Sequence, residues 1–238
     1  MEKRIFADLD NTLIFSHRYE IGDRCLVEML NGKEQAYMTR RGYDYLQKID
    51  SQVIVPVTSR TLAQYQRISL FADGRIPKFA LIDNGGILLI DGEVDKEWLS
   101  ETEALIKDDM DALKRYEEAF SDKAVIKWQD GMVLFLKSNE SCELFSAKAA
   151  EYGLMIFSHF DKIYVCSGKL TKGNALRRFK ARYPADFTVV AGDAETDLSM
   201  VPEADEAYLD IKLKKFAEDA ENVSFVDPLI IAETIFGR

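Results

Sequence analysis

Four short apolar runs, each stopped abruptly by polar or turn residues, constrain this chain more than anything else in its sequence. They are Ile5-Phe6-Ala7 before Asp8, Val53-Ile54-Val55-Pro56-Val57 before Thr58-Ser59-Arg60, Phe79-Ala80-Leu81-Ile82 before Asp83-Asn84-Gly85-Gly86, and Phe187-Thr188-Val189-Val190-Ala191 before Gly192-Asp193. Short β-branched runs bounded by turn residues fit strands buried on both faces, as in a parallel sheet. Between them the periodicity becomes helical. Residues 61–72 suit a helix after the second run, and 172–183 place Leu176, Phe179 and Tyr183 on one face. Strand–helix alternation at both ends of the chain predicts an α/β fold with a doubly wound, mainly parallel sheet.

The middle of the chain follows another pattern. Residues 87–90 and 94–96 flank Asp91-Gly92, a strong hairpin signal, and an amphipathic helical stretch runs from about Trp98 to Phe120. Residues 125–128 and 132–136 flank Gln129-Asp130-Gly131. A second helical segment lies near 139–152, and strands near 154–157 and 162–166 enclose His159-Phe160-Asp161. Hairpins mixed with helices describe a smaller antiparallel α+β domain inserted into the α/β core. The expected division is 1–84 with 168–238 for the core and 85–167 for the insertion.

Composition narrows the function classes. A chain of 238 residues, 47% hydrophobic, holds one large domain or a core with a modest second one. A net charge of -10 argues against a general nucleic-acid or membrane-surface binder. It does not exclude an anionic substrate, because a bound cation reverses the local field. The first residues carry no apolar stretch long enough for a signal peptide, and no segment is long enough to span a bilayer. Cys25, Cys142 and Cys166 are odd in number, widely spaced and unaccompanied by histidine ligands. They read as buried small apolar residues in a reducing compartment, the cytoplasm.

The polar residues at the strand ends carry the chemistry. Asp8 and Asp10 follow the first strand, Thr58 and Ser59 the second, and Asp193 and Asp197 a late one, while Lys172 opens a helix. In an open α/β sheet, ligands collect beyond the carboxyl ends of the strands. A carboxylate there can attack phosphorus and split hydrolysis into two easier steps. Repulsion between that carboxylate and a phosphate dianion calls for a cation, and magnesium prefers oxygen ligands such as Asp8 and Asp193. Asp10 is placed to protonate the leaving oxygen and then activate water. Thr58, with Ser59 as a further hydroxyl, can bind a phosphoryl oxygen, and Lys172 can balance transition-state charge.

These residues resemble the signatures of the haloacid dehalogenase superfamily. Asp8-Leu9-Asp10-Asn11-Thr12-Leu13 is similar to its first motif, Thr58 to its second, Lys172 to its third, and Gly192-Asp193 with Asp197 to its fourth. The resemblance implies a Rossmann-like core, Asp8 as nucleophile and Asp10 as acid/base. It further implies Mg2+ held by Asp8, Asp10 through its backbone carbonyl, Asp193 and Asp197. The long interval between the second and third motifs resembles Cof-type and sucrose-phosphatase-like members, whose cap lies there. The implied activity is magnesium-dependent hydrolysis of a small phosphorylated metabolite, such as a sugar phosphate, through an aspartyl-phosphate, with the cap selecting the substrate.

Departures and rival readings remain. Cof-type enzymes usually carry Gly at the position of Asn11, Gly at that of Ser59 and Asn at that of Thr196. Thr58 alone suits a helix N-cap as well as a ligand, and Lys169 competes with Lys172. Arg60 suits phosphate contact or an exposed helix start. His17 and His159 suit the site or the surface, and the charged run at 107–118 suits a solvated helix face. Rival functions are a phosphosugar mutase on the same core and a receiver-like phosphoacceptor module, although receivers are about half this length.

Overall fold

The computed structural model describes residues 2–159 and 162–237. It divides into two compact units, Met1–Asp95 with Lys172–Arg238, and Lys96–Thr171. The first unit begins with strands β1 (Lys3–Ala7), β2 (Phe15–Ser16), β3 (Arg24–Leu30) and β4 (Lys33–Thr39), then helix α1 (Arg40–Leu46). It continues through β5 (Ile54–Pro56), helix α2 (Leu62–Tyr65), β6 (Phe79–Ile82), β7 (Ile87–Ile90) and β8 (Glu93–Val94). The inserted unit comprises α3 (Lys96–Phe120), β9 (Val125–Gln129), β10 (Val133–Lys137), α4 (Cys142–Glu151), β11 (Leu154–His159) and β12 (Lys162–Ser167). The first unit resumes with α5 (Lys172–Arg182), β13 (Phe187–Gly192), β14 (Glu206–Asp210), α6 (Lys214–Ala217), β15 (Val223–Val226) and α7 (Pro228–Phe236).

The central sheet is parallel throughout, in the order β15-β14-β13-β1-β5. Ile5 lies opposite Val189 and Ile54, and Ala7 opposite Ala191. These residues pack with Leu46 of α1 and Ile231, Ala232 and Ile235 of α7. Side chains alternate along a strand, so Phe6 points the other way. There it meets Phe179 of α5 edge-on at 5.4 Å, and Phe179 meets Phe79 at 5.1 Å. Helices therefore cover both faces, which makes the sheet doubly wound. Each such buried phenylalanine contributes roughly 1.5–3 kcal/mol relative to exposure.

The inserted unit has a core of its own. Its antiparallel sheet, ordered β11-β12-β10-β9, presents Leu134, Leu136, Ile163 and Val165 to Leu113, Tyr116 and Phe120 of α3 and Phe145 of α4. The buried Tyr116 hydroxyl donates to the Phe145 carbonyl at 3.0 Å, so its polar atom is satisfied. The charged positions Lys107, Asp108, Lys114 and Arg115 of α3 face solvent. The turn at Phe160-Asp161 lies outside the described residues, as does the His159 side chain.

Several expectations are corrected. The division falls at Asp95/Lys96 and Thr171/Lys172 rather than 84/85 and 167/168. The hairpin β7–β8 stays with the first unit because β7 pairs with β6 from Ile82↔Ile87 to Phe79↔Ile90. Strand β6 itself touches the parallel sheet through one bridge, Val57↔Leu81. The helix expected over 61–72 is one turn long, capped reciprocally by Thr61 and Gln64. Beyond it Ile68 bridges Glu28 and the Ser69 amide donates to the Val27 carbonyl, so the chain pairs with β3 instead of coiling onward. Cys25 and Cys166 are buried, but Cys142 is exposed, because it opens α4 on the solvent side. The hairpin β3–β4, turned at Asn31-Gly32 with φ of 51° and 73°, was not anticipated. Among the described residues no helix is long and apolar enough to cross a membrane.

Candidate active site

The ends of β1, β5 and β13 and the first turn of α5 bring the motif residues together. The Asp8 amide donates to the Ala191 carbonyl at 3.0 Å, extending the β1–β13 pairing to the point where Asp8 is presented. Leu9 is buried, and the chain then turns back at Asn11, whose φ is 58°. Asparagine tolerates that left-handed conformation, which accounts for its replacing glycine there. The turn sends Asp10, 42% exposed at its side chain, out beyond the strand end.

A buried charge cluster lies at the centre. Lys172 Nζ sits 2.8 Å from Asp8 Oδ1 and 2.5 Å from Asp197 Oδ1. Asp197 Oδ2 accepts the Asp193 and Ala194 amides, both at 2.9 Å, which ties the fourth motif into a loop. Gly192 is required there, because a Cβ would collide with the Asp197 carboxylate. Asp193 Oδ2 accepts Lys212 Nζ at 2.8 Å, and its Oδ1 accepts the buried Thr12 hydroxyl at 3.4 Å.

The electrostatics follow from burial. Desolvation pushes the Asp8 carboxyl well above its ordinary range; Lys172 opposes the shift, while Asp197, Asp193 and Asp10 add to it. Asp193 is raised mainly by burial, against the pull of Lys212. Burial works against the Lys172 ammonium, but Asp197 and Asp8 outweigh it and hold its pKa above normal.

Asp8, Asp193 and Asp197 each offer a carboxylate oxygen, and these atoms lie within 4.8 Å of one another. An all-oxygen set of buried acids, with Asp8 pushed toward its neutral form, fits a hard divalent cation such as magnesium. Asp197 is the most committed of the three, since its oxygens already accept from the Lys172 ammonium and from two backbone amides.

The other residues distribute as follows. Thr58 is buried; its amide donates to the Leu81 carbonyl and its Oγ1 accepts the Arg60 amide at 3.2 Å. Ser59 is exposed beside it. Arg60 is neither exposed nor free, since it forks onto Asp10. Lys169 belongs to the inserted unit, where it bonds the Leu105 carbonyl and pairs with Asp109. His17 is exposed, and the Thr196 carbonyl accepts Ser199 Oγ. Lys212 and Glu28 escaped the sequence reading, and Thr12 stood in the first motif without a role. Lys212 follows the unremarked strand β14, so the rule that ligands collect beyond strand ends would have found it.

No protein-family model matches the sequence, and no curated protein matches it either. Solved structures do. The sucrose-phosphatase of Synechocystis sp. PCC6803, in complex with sucrose and phosphate, is 15% identical with a TM-score of 0.67, covering 100% of this chain and 99% of that one. A sugar phosphatase of haloacid dehalogenase subclass IIB is 13% identical with a TM-score of 0.63, covering 98% and 97%. The trehalose-6-phosphate phosphatase of Aspergillus fumigatus is 14% identical with a TM-score of 0.55, covering 100% and 94%. At these identities the likeness establishes the fold, and the fold is that of the haloacid dehalogenase phosphatases which the four motifs resemble.

Proposed function

We propose that this protein is a magnesium-dependent phosphatase of small phosphomonoesters, sugar phosphates in particular, acting through an aspartyl-phosphate on Asp8. The observation that carries the reading is Lys172 joined at once to Asp8 and Asp197, with Asp193 alongside. Four ionisable groups, all buried at the ends of two strands and a helix, cost stability and are retained for chemistry.

Asp8 attacks phosphorus and the P–O bond to the leaving group breaks. Lys172 stays charged throughout and offsets the equatorial oxygens. Thr58 Oγ1 accepts the Arg60 amide, which leaves its hydroxyl proton to donate to a phosphoryl oxygen. Ser59, exposed at the same turn, is a second donor. Asp10 hands a proton to the leaving oxygen and takes one from the water that hydrolyses the acyl phosphate. Asp8, Asp193 and Asp197, with the Asp10 backbone carbonyl, would hold the magnesium ion. When bound, the ion supplies the positive charge that lets an anion approach a phosphate dianion. Three free cysteines support a reducing compartment, the cytoplasm.

A screen of phosphorylated sugars with phosphate detection tests the reading. Release of phosphate should stop on chelation and return with magnesium. Undiminished turnover in excess chelator, with no residual metal by elemental analysis, contradicts it.

A further inference from the structure

Glu28 is a carboxylate buried to 4% exposure on β3, at an irregularity where the β3–β4 register shifts on either side of it. A buried lone carboxylate is costly, and this one is matched by two arginines. Arg67 donates from Nε to Oε1 at 3.0 Å, with Nη2 2.9 Å from the same oxygen. Arg60 Nη1 lies 3.0 Å from Oε2. The other edge of the Arg60 guanidinium grips Asp10, with Nε 2.7 Å from Oδ2 and Nη2 2.8 Å from Oδ1.

One planar group thus has two carboxylates on two edges. Glu28 prevents the guanidinium from rotating, and the bidentate fork prevents the Asp10 carboxylate from rotating. Asp10 otherwise stands 42% exposed at a turn, with nothing else among the described contacts to fix its plane. Each of its oxygens keeps a second lone pair for a proton, so the fork orients the group without consuming it. Among the described residues the side chains of Arg60 and Glu28 make no hydrogen bond to Lys172, Asp8, Asp193 or Asp197; Arg60 meets Thr58 through its backbone amide alone.

We infer that Arg60 is the positioning residue for Asp10 and that Glu28 holds Arg60 in place. The inference rests on the reading of Asp10 as the proton-transfer group given above. It assigns to β3, through a single side chain, control over leaving-group protonation. Lysine cannot substitute for Arg60, because a point charge has no fork.

The test compares kcat/KM for an alkyl phosphate, whose departure needs a proton, with that for 4-nitrophenyl phosphate, whose departure hardly does. Both values report steps up to the first loss of the leaving group. Arg60→Lys and Glu28→Gln are measured beside the unaltered full-length protein, with folding checked by thermal melting. Misplacing the proton donor should lower the alkyl-to-aryl ratio about tenfold or more in Arg60→Lys, and in the same direction in Glu28→Gln. Arg60→Ala should regain part of the alkyl rate when guanidinium is added at low concentration. A ratio that stays constant in both variants, whether the two rates fall together or not at all, overturns the assignment. Absence of turnover by the unaltered protein removes the phosphatase reading and this inference with it; turnover with an unchanged ratio removes only this inference.

Discussion

Lys172 Nζ lies 2.8 Å from Asp8 Oδ1, joining the first turn of α5 to the end of β1 through two buried side chains. The same ammonium reaches Asp197, so one cation serves two buried acids. Removing it leaves both carboxylates buried without a counter-charge. Lys172→Met should therefore cost the metal-free protein about 3–5 kcal/mol, the usual loss when one partner of a buried pair is deleted. Urea unfolding measures it, and a loss below about 1 kcal/mol contradicts the geometry.

Proton and cation should compete for Asp8. Burial, reinforced by Asp197 and Asp193, holds its carboxyl above the ordinary value of 3.8. A raised carboxyl stabilises the folded, metal-free protein fully below that ordinary value, and the contribution is lost as pH rises through the folded value. Cation binding needs the ionised form, so its stabilising effect grows over the same interval. The magnesium-induced rise in unfolding midpoint should widen as pH rises above the ordinary carboxylate value of 3.8, and the widening should shrink in Asp8→Asn. A magnesium increment independent of pH in the unaltered protein contradicts this.

Gly192 stands where a Cβ meets the Asp197 carboxylate. Gly192→Ala must push that carboxylate away from the amides of Asp193 and Ala194, which it accepts at 2.9 Å. The expected cost is about 1–3 kcal/mol of stability, together with weaker magnesium binding by titration calorimetry. Unchanged affinity and stability would mean that the loop relaxes freely.

Most of the α/β core was legible because each strand is a short buried run with a polar stop, and the stops themselves are Asp8, Thr58 and Asp193. Lys172 was legible as the polar opening of an amphipathic helix whose buried face is Leu176 and Phe179. The β3–β4 hairpin was not, although Asn31-Gly32 is a strong turn signal. Its strands carry Arg24, Glu28, Lys33 and Glu34, which obscure the apolar alternation. Glu28 could not be assigned from local pattern at all, and Lys212 only by reading β14 as a strand whose end it follows. Their meaning lies in partners distant along the chain, Arg60 and Arg67 for the first and Asp193 for the second. Helix α2 failed as an expectation because residues after Tyr65 find a strand partner in β3, a tertiary contact that overrides local periodicity.

The most direct test of the central claim is acid-quenched mass spectrometry of the protein during turnover of a phosphomonoester with magnesium. Acid preserves an acyl phosphate and stops its hydrolysis, so the modified residue can be located by peptide mapping. We expect one phosphoryl group on Asp8, and none in Asp8→Asn, because an amide is a poor nucleophile. Phosphate release at an undiminished rate by Asp8→Asn, or a phosphoryl group trapped on any other residue, contradicts the assignment.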